Sequence, residues 1–286
     1  MKASELVLAG DGSLYHIRLQ SSTLADRVLL VGDPDRVDMF KNIFEAVEFE
    51  SRSRELHALT GVYHGTRITA LSTGMGCDNI DIVMTELDAA LHVENGRWTD
   101  DTNRKLQIVR IGTSGSLQAD IDCGSYVASK YAIGLDGLMN YYREWQSQLP
   151  DMEQRFATHT QLDRRLAAPY CVRGSERLLG KIGAGMHHGI TATAPGFYGP
   201  QGRTVRMHPS IENLNEMLSS FAYDGTPVTN LEMETSAIFG FSQMMGHEAL
   251  TVCLIIANRP RGTFMNSYHA EMRQLLGTVV ERISNE

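Results

Sequence analysis

Short apolar runs that end in glycine, alternating with stretches of helical period, constrain the fold of this chain more than any other feature. Residues 28–31 (Val-Leu-Leu-Val) run into Gly32-Asp33-Pro34-Asp35, and residues 68–71 into Ser72-Thr73-Gly74-Met75-Gly76. Residues 106–111 run into Gly112-Thr113-Ser114-Gly115, which breaks that strand. An apolar run of this length, closed by Gly and Pro, is the signature of a buried strand. Between the runs the period changes. Residues 36–44 read as a helix with Asp35 placed to cap it. Residues 80–93 carry apolar side chains at 80, 83, 84, 87 and 91, one face of a helix. Further strands are expected at 125–133, 189–194 and 250–257, and a closing helix at 267–283. The expected architecture is α/β, a mixed central sheet flanked by helices, in a single domain spanning residues 1–286. Residues 136–176, with two adjacent tyrosines, Trp145 and Pro150, are largely helical in pattern. They read as an insertion-like, lid-like excursion and not as a second domain.

Composition narrows the function. Charged residues are 21% and hydrophobic residues 42% of the 286, ordinary for a soluble globular protein. A net charge of -8 argues against a nucleic-acid polyanion as the main partner. Small phosphorylated ligands are not excluded, because they need only a few local arginines. Cys77, Cys123, Cys171 and Cys253 are widely spaced and form no CxxC pair, which suits reduced thiols better than disulfides or zinc. The adjacent His187 and His188 would point to opposite faces of a strand and chelate poorly, so no metal site is expected. No apolar run approaches bilayer length and the first residues lack a signal-peptide core, so a cytoplasmic protein is expected.

Four segments offer chemistry. Gly32-Asp33-Pro34-Asp35-Arg36 sets backbone N–H groups and an arginine at a strand's carboxyl end, where open α/β sheets bind ligands. A simple capped turn would look the same. Arg110-Ile111-Gly112-Thr113 repeats the theme: an arginine at the end of an apolar strand needs either a carboxylate or a bound anion, and Gly112 would let the backbone come close. Asn230-Leu231-Glu232-Met233-Glu234-Thr235 places two acids at the start of a helical run. They suit helix capping or the grip of a sugar's vicinal hydroxyls, with Met233 as a soft apolar surface. Gly196-Phe197-Tyr198-Gly199-Pro200-Gln201-Gly202-Arg203 sets an amide and a guanidinium two residues apart behind an aromatic pair. That combination is either an ordinary loop or a match for a small ring whose edge alternates carbonyl and N–H.

Together these segments, with Ser53-Arg54-Glu55, Ser72-Thr73-Gly74-Met75-Gly76 and the stretch from Val252 to Arg259, resemble the nucleoside phosphorylase family that includes the uridine phosphorylases. The likeness covers almost the whole chain in the same order; the glycine-rich and Glu-Met-Glu elements mark the superfamily and the Gln-x-Arg element its uridine branch. The resemblance implies that Gly32, Arg36, Arg110 and Thr113 hold phosphate, joined by Arg54 from a neighbouring subunit. It implies that Glu232, Met233 and Glu234 hold ribose, with His16 reaching in from the neighbour. Gln201 and Arg203 would take the uracil edge, with Phe197 beside the base and Arg259 ordering the base loop. Catalysis would fall to Arg110, Glu232, Glu234 and Arg203.

The resemblance further implies inorganic phosphate as co-substrate and no other cofactor. It implies a homo-oligomer with a dimer as the active unit, which could be built into a hexamer. Asn258 stands where purine-cleaving relatives are expected to have an Asp that protonates the leaving base. Leu231 stands where an aromatic residue often precedes Glu-Met-Glu. Asn79 replaces a Ser that helps some bacterial relatives hold an intersubunit monovalent cation, although Glu55 fits such a site. The expected activity is phosphorolysis of uridine to uracil and ribose 1-phosphate, in pyrimidine nucleoside salvage. The alternatives are a purine nucleoside phosphorylase or a water-using nucleosidase of the same fold, or a non-catalytic nucleoside-binding module.

Overall fold

The computed structural model describes residues 2, 4–99 and 103–285. The first strands are β1 (Arg27–Val31), β2 (Ala46–Ser53), β3 (Leu56–Tyr63) and β4 (Thr66–Ser72). A short hairpin, β5 (Val93–Glu94) and β6 (Arg97–Trp98), stands apart from the main sheet. The remaining strands are β7 (Gln107–Ser116), β8 (Tyr126–Gly134), β9 (Tyr170–Arg173), β10 (His187–Thr193), β11 (Ala222–Tyr223), β12 (Thr226–Glu232), β13 (Glu248–Asn258) and β14 (Thr263–Phe264). The helices are α1 (Pro34–Met39), α2 (Cys77–His92), α3 (Pro150–Thr160), α4 (Glu176–Ile182), α5 (Leu214–Ser219), α6 (Thr235–Met245) and α7 (His269–Ser284).

The main sheet is mixed, in the order β11-β12-β10-β8-β13-β7-β1-β4-β3-β2, and β12 also pairs with β7 through Asn230↔Ser116 and Leu231↔Gly115. That last pairing closes β7, β13, β8, β10 and β12 into a ring, and β1, β4, β3 and β2 extend from it. β1 shows why the sheet is covered on both faces. Val28 and Leu30 pack into the apolar cluster shared with α2 and α6, while Leu29 and Val31 pack into the one shared with α4 and α7. Alternate residues of a strand point to opposite faces, so a four-residue apolar run needs helices on both sides. Burying each such side chain is worth roughly 1.5–3 kcal/mol. Helix α7 repays one of those faces with Met272, Leu275, Leu276, Val279, Val280 and Ile283, an i, i+3, i+4 stripe.

Three local expectations are corrected. The cap of α1 is Asp33, whose carboxylate accepts the Asp35 N–H at 2.9 Å; Asp35 itself lies in the first turn, behind Pro34. Strand β7 does not break at Gly112; it stays paired with β13 as far as Asn258↔Ser116. Gly112 makes room for a side chain and not for a turn. A Cβ on Gly112 would stand 1.9 Å from Arg110 Nη1, and one on Gly115 would touch the Arg259 stem at 3.5 Å. Residues 136–176 are less helical than their pattern: they hold a 3-10 turn (Leu138–Tyr141), the eleven residues of α3, and β9, which pairs antiparallel with β8. Met152 and Phe156 of α3 are fully buried against a third apolar cluster that includes Leu218 and Phe221, so this segment is packed into the body of the protein. Strands β2 and β3 also escape periodic reading, β2 because it is an exposed edge of mostly polar residues.

Candidate active site

The carboxyl ends of β1, β7 and β12 converge with the loop before α2 and the 197–203 loop on one cavity of about 550 Å3. Its wall includes Gly32 and Arg36 from the turn after β1, and Arg110 and Thr113 from β7. It also includes Glu232, Met233 and Glu234 from the β12–α6 junction, and Phe197, Gln201 and Arg203 from the loop. These residues are spread over two hundred positions, and the topology places their strand ends side by side.

At its centre is a buried charge triad. Arg110 is 5% exposed, its Nη2 bonds Glu234 Oε2, and its Nη1 lies 3.3 Å from Glu232 Oε2. Burial alone would weaken the guanidinium's hold on its proton, but Glu234 and then Glu232 outweigh that and keep it charged. Burial raises the Glu234 carboxyl above its usual value, with Arg110 opposing and Glu232 adding. Both alternatives for Arg110 therefore bear on one residue, since it has carboxylate partners and also faces the cavity. Its Nε is buried without a hydrogen-bond acceptor.

The acids differ in what else they do. Glu232 accepts the backbone N–H groups of Glu234 (3.0 Å) and Thr235 (3.1 Å) and the Thr193 hydroxyl (2.7 Å). It thereby caps the first turn of α6, using donors that the helix leaves unpaired. Glu234 accepts the Gly76 N–H at 2.7 Å. Gly76 has φ +95°, a conformation that side chains rarely adopt, so the loop before α2 can aim that N–H only from a glycine.

The opposite wall is the 197–203 loop. Arg203 Nη1 donates to the Phe197 carbonyl and to Gln201 Oε1, both at 2.5 Å, and its guanidinium lies 3.8 Å above the centre of the Phe197 ring. The amide of Gln201 is thus oriented with Nε2 left over as a donor, an assignment made from this bond. Arg259 does not line the cavity; its guanidinium donates to the Gln201 carbonyl and so pins the loop from behind. Burial, with Arg259's charge adding, pulls the Arg203 pKa down to about 10, which leaves it charged at neutral pH. On the far side of the loop, Arg203 also borders a second cavity of about 670 Å3, walled by Leu135, Val205, Met207, Ile211 and Leu214. Among the described residues, that cavity has no carboxylate in its wall and holds none of the sequence-expected phosphate or ribose residues.

His16 and Arg54 lie outside the cavity of their own chain. His16 Nδ1 is 2.5 Å from Glu86 Oε1, and the Glu86 carboxylate also accepts the backbone N–H groups of His16 and Ile17. Arg54 is exposed, with φ +55°. Asn258 is buried with its amide turned away from the cavity: Nδ2 donates to the carbonyls of Gln118 (3.0 Å) and Ile121 (2.9 Å), and Oδ1 accepts the Arg261 N–H. Two further wall residues have no role assigned from sequence. Met75, 76% exposed, is an apolar residue between two glycines, and Phe264 is brought in by the β13–β14 hairpin. Among the described residues, Asp38, Glu50 and His57 bring donor atoms within 4.8 Å of one another, the spacing of a metal site. Lys41 and Arg52 already pair with those carboxylates, so the group is a charge network and a poor cation site.

The triad gives a first expected outcome. Gly112→Ala pushes a methyl into the Arg110 guanidinium and must displace it from Glu234. On the expectation from sequence that Arg110 holds phosphate, phosphate KM should rise roughly tenfold or more, the scale of one charge-assisted hydrogen bond, which phosphate-titrated initial rates would measure.

The cavity of this mixed sheet joins arginines to paired carboxylates. Residues 26–285 match the family model described as the phosphorylase superfamily, and the chain belongs to that family. It is 29% identical over 261 residues to a uridine phosphorylase of Thermococcus kodakarensis, across 89% of this chain and 80% of the relative. It is 27% identical over 241 residues to a DeoD-type purine nucleoside phosphorylase of Alkaliphilus metalliredigens, across 84% of this chain and 85% of that one. The solved nucleoside phosphorylase of Trypanosoma brucei, which shows uridine phosphorylase activity, superposes with a TM-score of 0.86 at 30% identity over 98% of this chain and 99% of its own. The fold is also that of the purine nucleoside phosphorylase of Toxoplasma gondii, with a TM-score of 0.67 at 20% identity over 98% of each chain. Fold and enzyme class are thereby those of a nucleoside phosphorylase.

Proposed function

We propose that this protein is a uridine phosphorylase, which converts uridine and inorganic phosphate reversibly to uracil and ribose 1-phosphate. The observation that carries the reading is that Arg36, Arg110 and Thr113, the acids Glu232 and Glu234, and the Gln201–Arg203 pair all line one cavity. Phosphate sits at the Gly32–Arg36 turn against Arg110 and Thr113. A phosphate oxygen bonds to the anomeric carbon as the bond from that carbon to uracil N1 breaks, and the ribose passes through an oxocarbenium-like state. The phosphate anion stabilises that cation, and positioning accounts for much of the rate. Glu234 and Glu232 orient the ribose hydroxyls over Met233. Electrons that leave with uracil collect on its carbonyls, where Arg203 and the free Nε2 of Gln201 meet them, with Phe197 beside the ring. A purine would need a proton instead, and Asn258 offers none. Arg54 and His16, outside the cavity of their own chain, complete the site of a neighbouring subunit in a cytoplasmic homo-oligomer. No metal or further cofactor enters this scheme.

Uracil release from uridine should therefore require phosphate and survive EDTA. Turnover with water in place of phosphate, or loss of activity on chelation, would overturn the mechanism.

A further inference from the structure

His57 is a buried histidine that this chemistry does not use. It lies on β3, 1% exposed, and both ring nitrogens face oxygens. Nδ1 is 3.2 Å from the Pro34 carbonyl and Nε2 is 2.9 Å from Glu50 Oε1. Its backbone N–H is satisfied by the Ser72 hydroxyl on β4. Pro34 belongs to the same turn as Gly32 and Arg36 and lines the catalytic cavity, while His57 stands behind that wall.

A carbonyl and a carboxylate only accept, so both contacts are hydrogen bonds together only when each ring nitrogen carries a proton. The charges facing the ring come from two elements. Glu50 and Arg52 stand on β2, Asp38 on α1, and Lys41 just after it. Lys41 Nζ lies 2.7 Å from the same Glu50 oxygen and 3.0 Å from Asp38, and Arg52 bonds Asp38 at 2.6 Å. The Lys41 hydrogen bond, against some burial and with help from His57, holds the Glu50 carboxyl below its usual value, so His57 meets a carboxylate.

We propose that His57 is a positioning residue that holds the anion-binding turn through the Pro34 carbonyl, and that this hold depends on the proton it shares with Glu50. The proposal rests on reading the 32–36 turn as the phosphate end of the site. With one proton on the ring, the charge-assisted bond to Glu50 is the stronger of the two. The proton stays on Nε2, and Nδ1 turns a lone pair toward the Pro34 carbonyl. Acceptor then faces acceptor, and the turn that carries Arg36 is released.

The test compares wild type, His57→Phe and Glu50→Gln. Phosphate is titrated against the nucleoside the wild type cleaves best, at several pH values from about pH 5.5 to 8.5. Comparison with wild type cancels the ionisation of phosphate itself. At the acid end His57→Phe should raise phosphate KM roughly three- to tenfold, the worth of one hydrogen bond, with nucleoside KM and kcat nearly unchanged. The ratio to wild type should then shrink toward one as pH rises, because wild type loses the same bond. In Glu50→Gln the amide can donate to Nε2, which leaves Nδ1–H on Pro34 without a second proton. Its phosphate KM should match wild type in acid and fall below it in alkali.

A His57→Phe ratio that does not change with pH would mean simple packing and overturn the proposal, as would an unchanged KM. If His57→Phe does not fold, the profile of Glu50→Gln at its exposed position decides alone. If wild type uses phosphate and the profiles superpose, only the role of His57 falls. If wild type ignores phosphate, the phosphorylase reading falls with it.

Discussion

Arg110→Ala is expected to damage both the folded state and phosphate use, more than any other single substitution at the site. It strips the only positive member from a buried triad and leaves Glu232 and Glu234 facing each other without compensation. Removing one partner of a buried ion pair costs roughly 3–5 kcal/mol. Loss of a charge-assisted contact to phosphate adds a drop of at least about tenfold in efficiency, from roughly 1.5–3 kcal/mol. The stability deficit should depend on pH. Burial already raises the Glu234 carboxyl above its ordinary value even with Arg110 opposing, and without Arg110 it rises further. A carboxyl raised in the folded state favours folding below its unfolded pKa and loses that contribution as pH climbs through the folded one. The variant should therefore lie nearest wild type in acid and fall away from it toward neutrality. Urea unfolding at several pH values, with phosphate-titrated rates on the folded fraction, separates the two effects. A variant with normal phosphate KM and kcat would reduce Arg110 to a structural ion pair.

The second large effect is base choice. Sites built to hydrogen-bond a ring edge reject rings that leave their buried polar groups unpaired, by up to roughly 10⁴-fold. Uridine should be cleaved far faster than cytidine, inosine or adenosine. Cytidine's amino group puts a donor where uracil offers an acceptor. Gln201→Ala should cut uridine cleavage and release Arg203 Nη1 from its side-chain partner, without creating a purine enzyme. Asn258→Asp should not create one either. Its carboxylate would replace Nδ2 opposite the Gln118 and Ile121 carbonyls and destabilise that loop before it could reach a base. A side-by-side panel of nucleosides on the unmodified protein is the decisive measurement. Efficient cleavage of inosine with uridine left intact would sink the pyrimidine assignment and leave the family membership standing.

Much of the frame was legible because it is written in short-range patterns. The strand at 28–31 and the helix at 269–284 announce themselves through runs and periods that no distant contact needs to explain. The chemistry of the apolar strands was legible for the same reason, since a buried arginine at position 110 must have an anion from somewhere. The pattern failed where a residue serves a neighbouring side chain. Gly112 looks like a strand break and is a clearance for Arg110. Strand β2 is polar because it is an edge, and β9 is four residues long, so neither carries a period to read.

The sequence by itself determined which groups this protein has and which strands and loops carry them. Only the tertiary structure decided what each group is bonded to. Glu232 spends its oxygens on the start of α6 and on Thr193, 39 positions away, while Glu234 holds Arg110, 124 positions away. Asn258 faces a loop and not the cavity, and His16 answers to Glu86. The reason is physical. Periodicity and turn chemistry act over a few residues, whereas side-chain partners depend on strand order and on the β12–β7 pairing that brings the ends of the ring together.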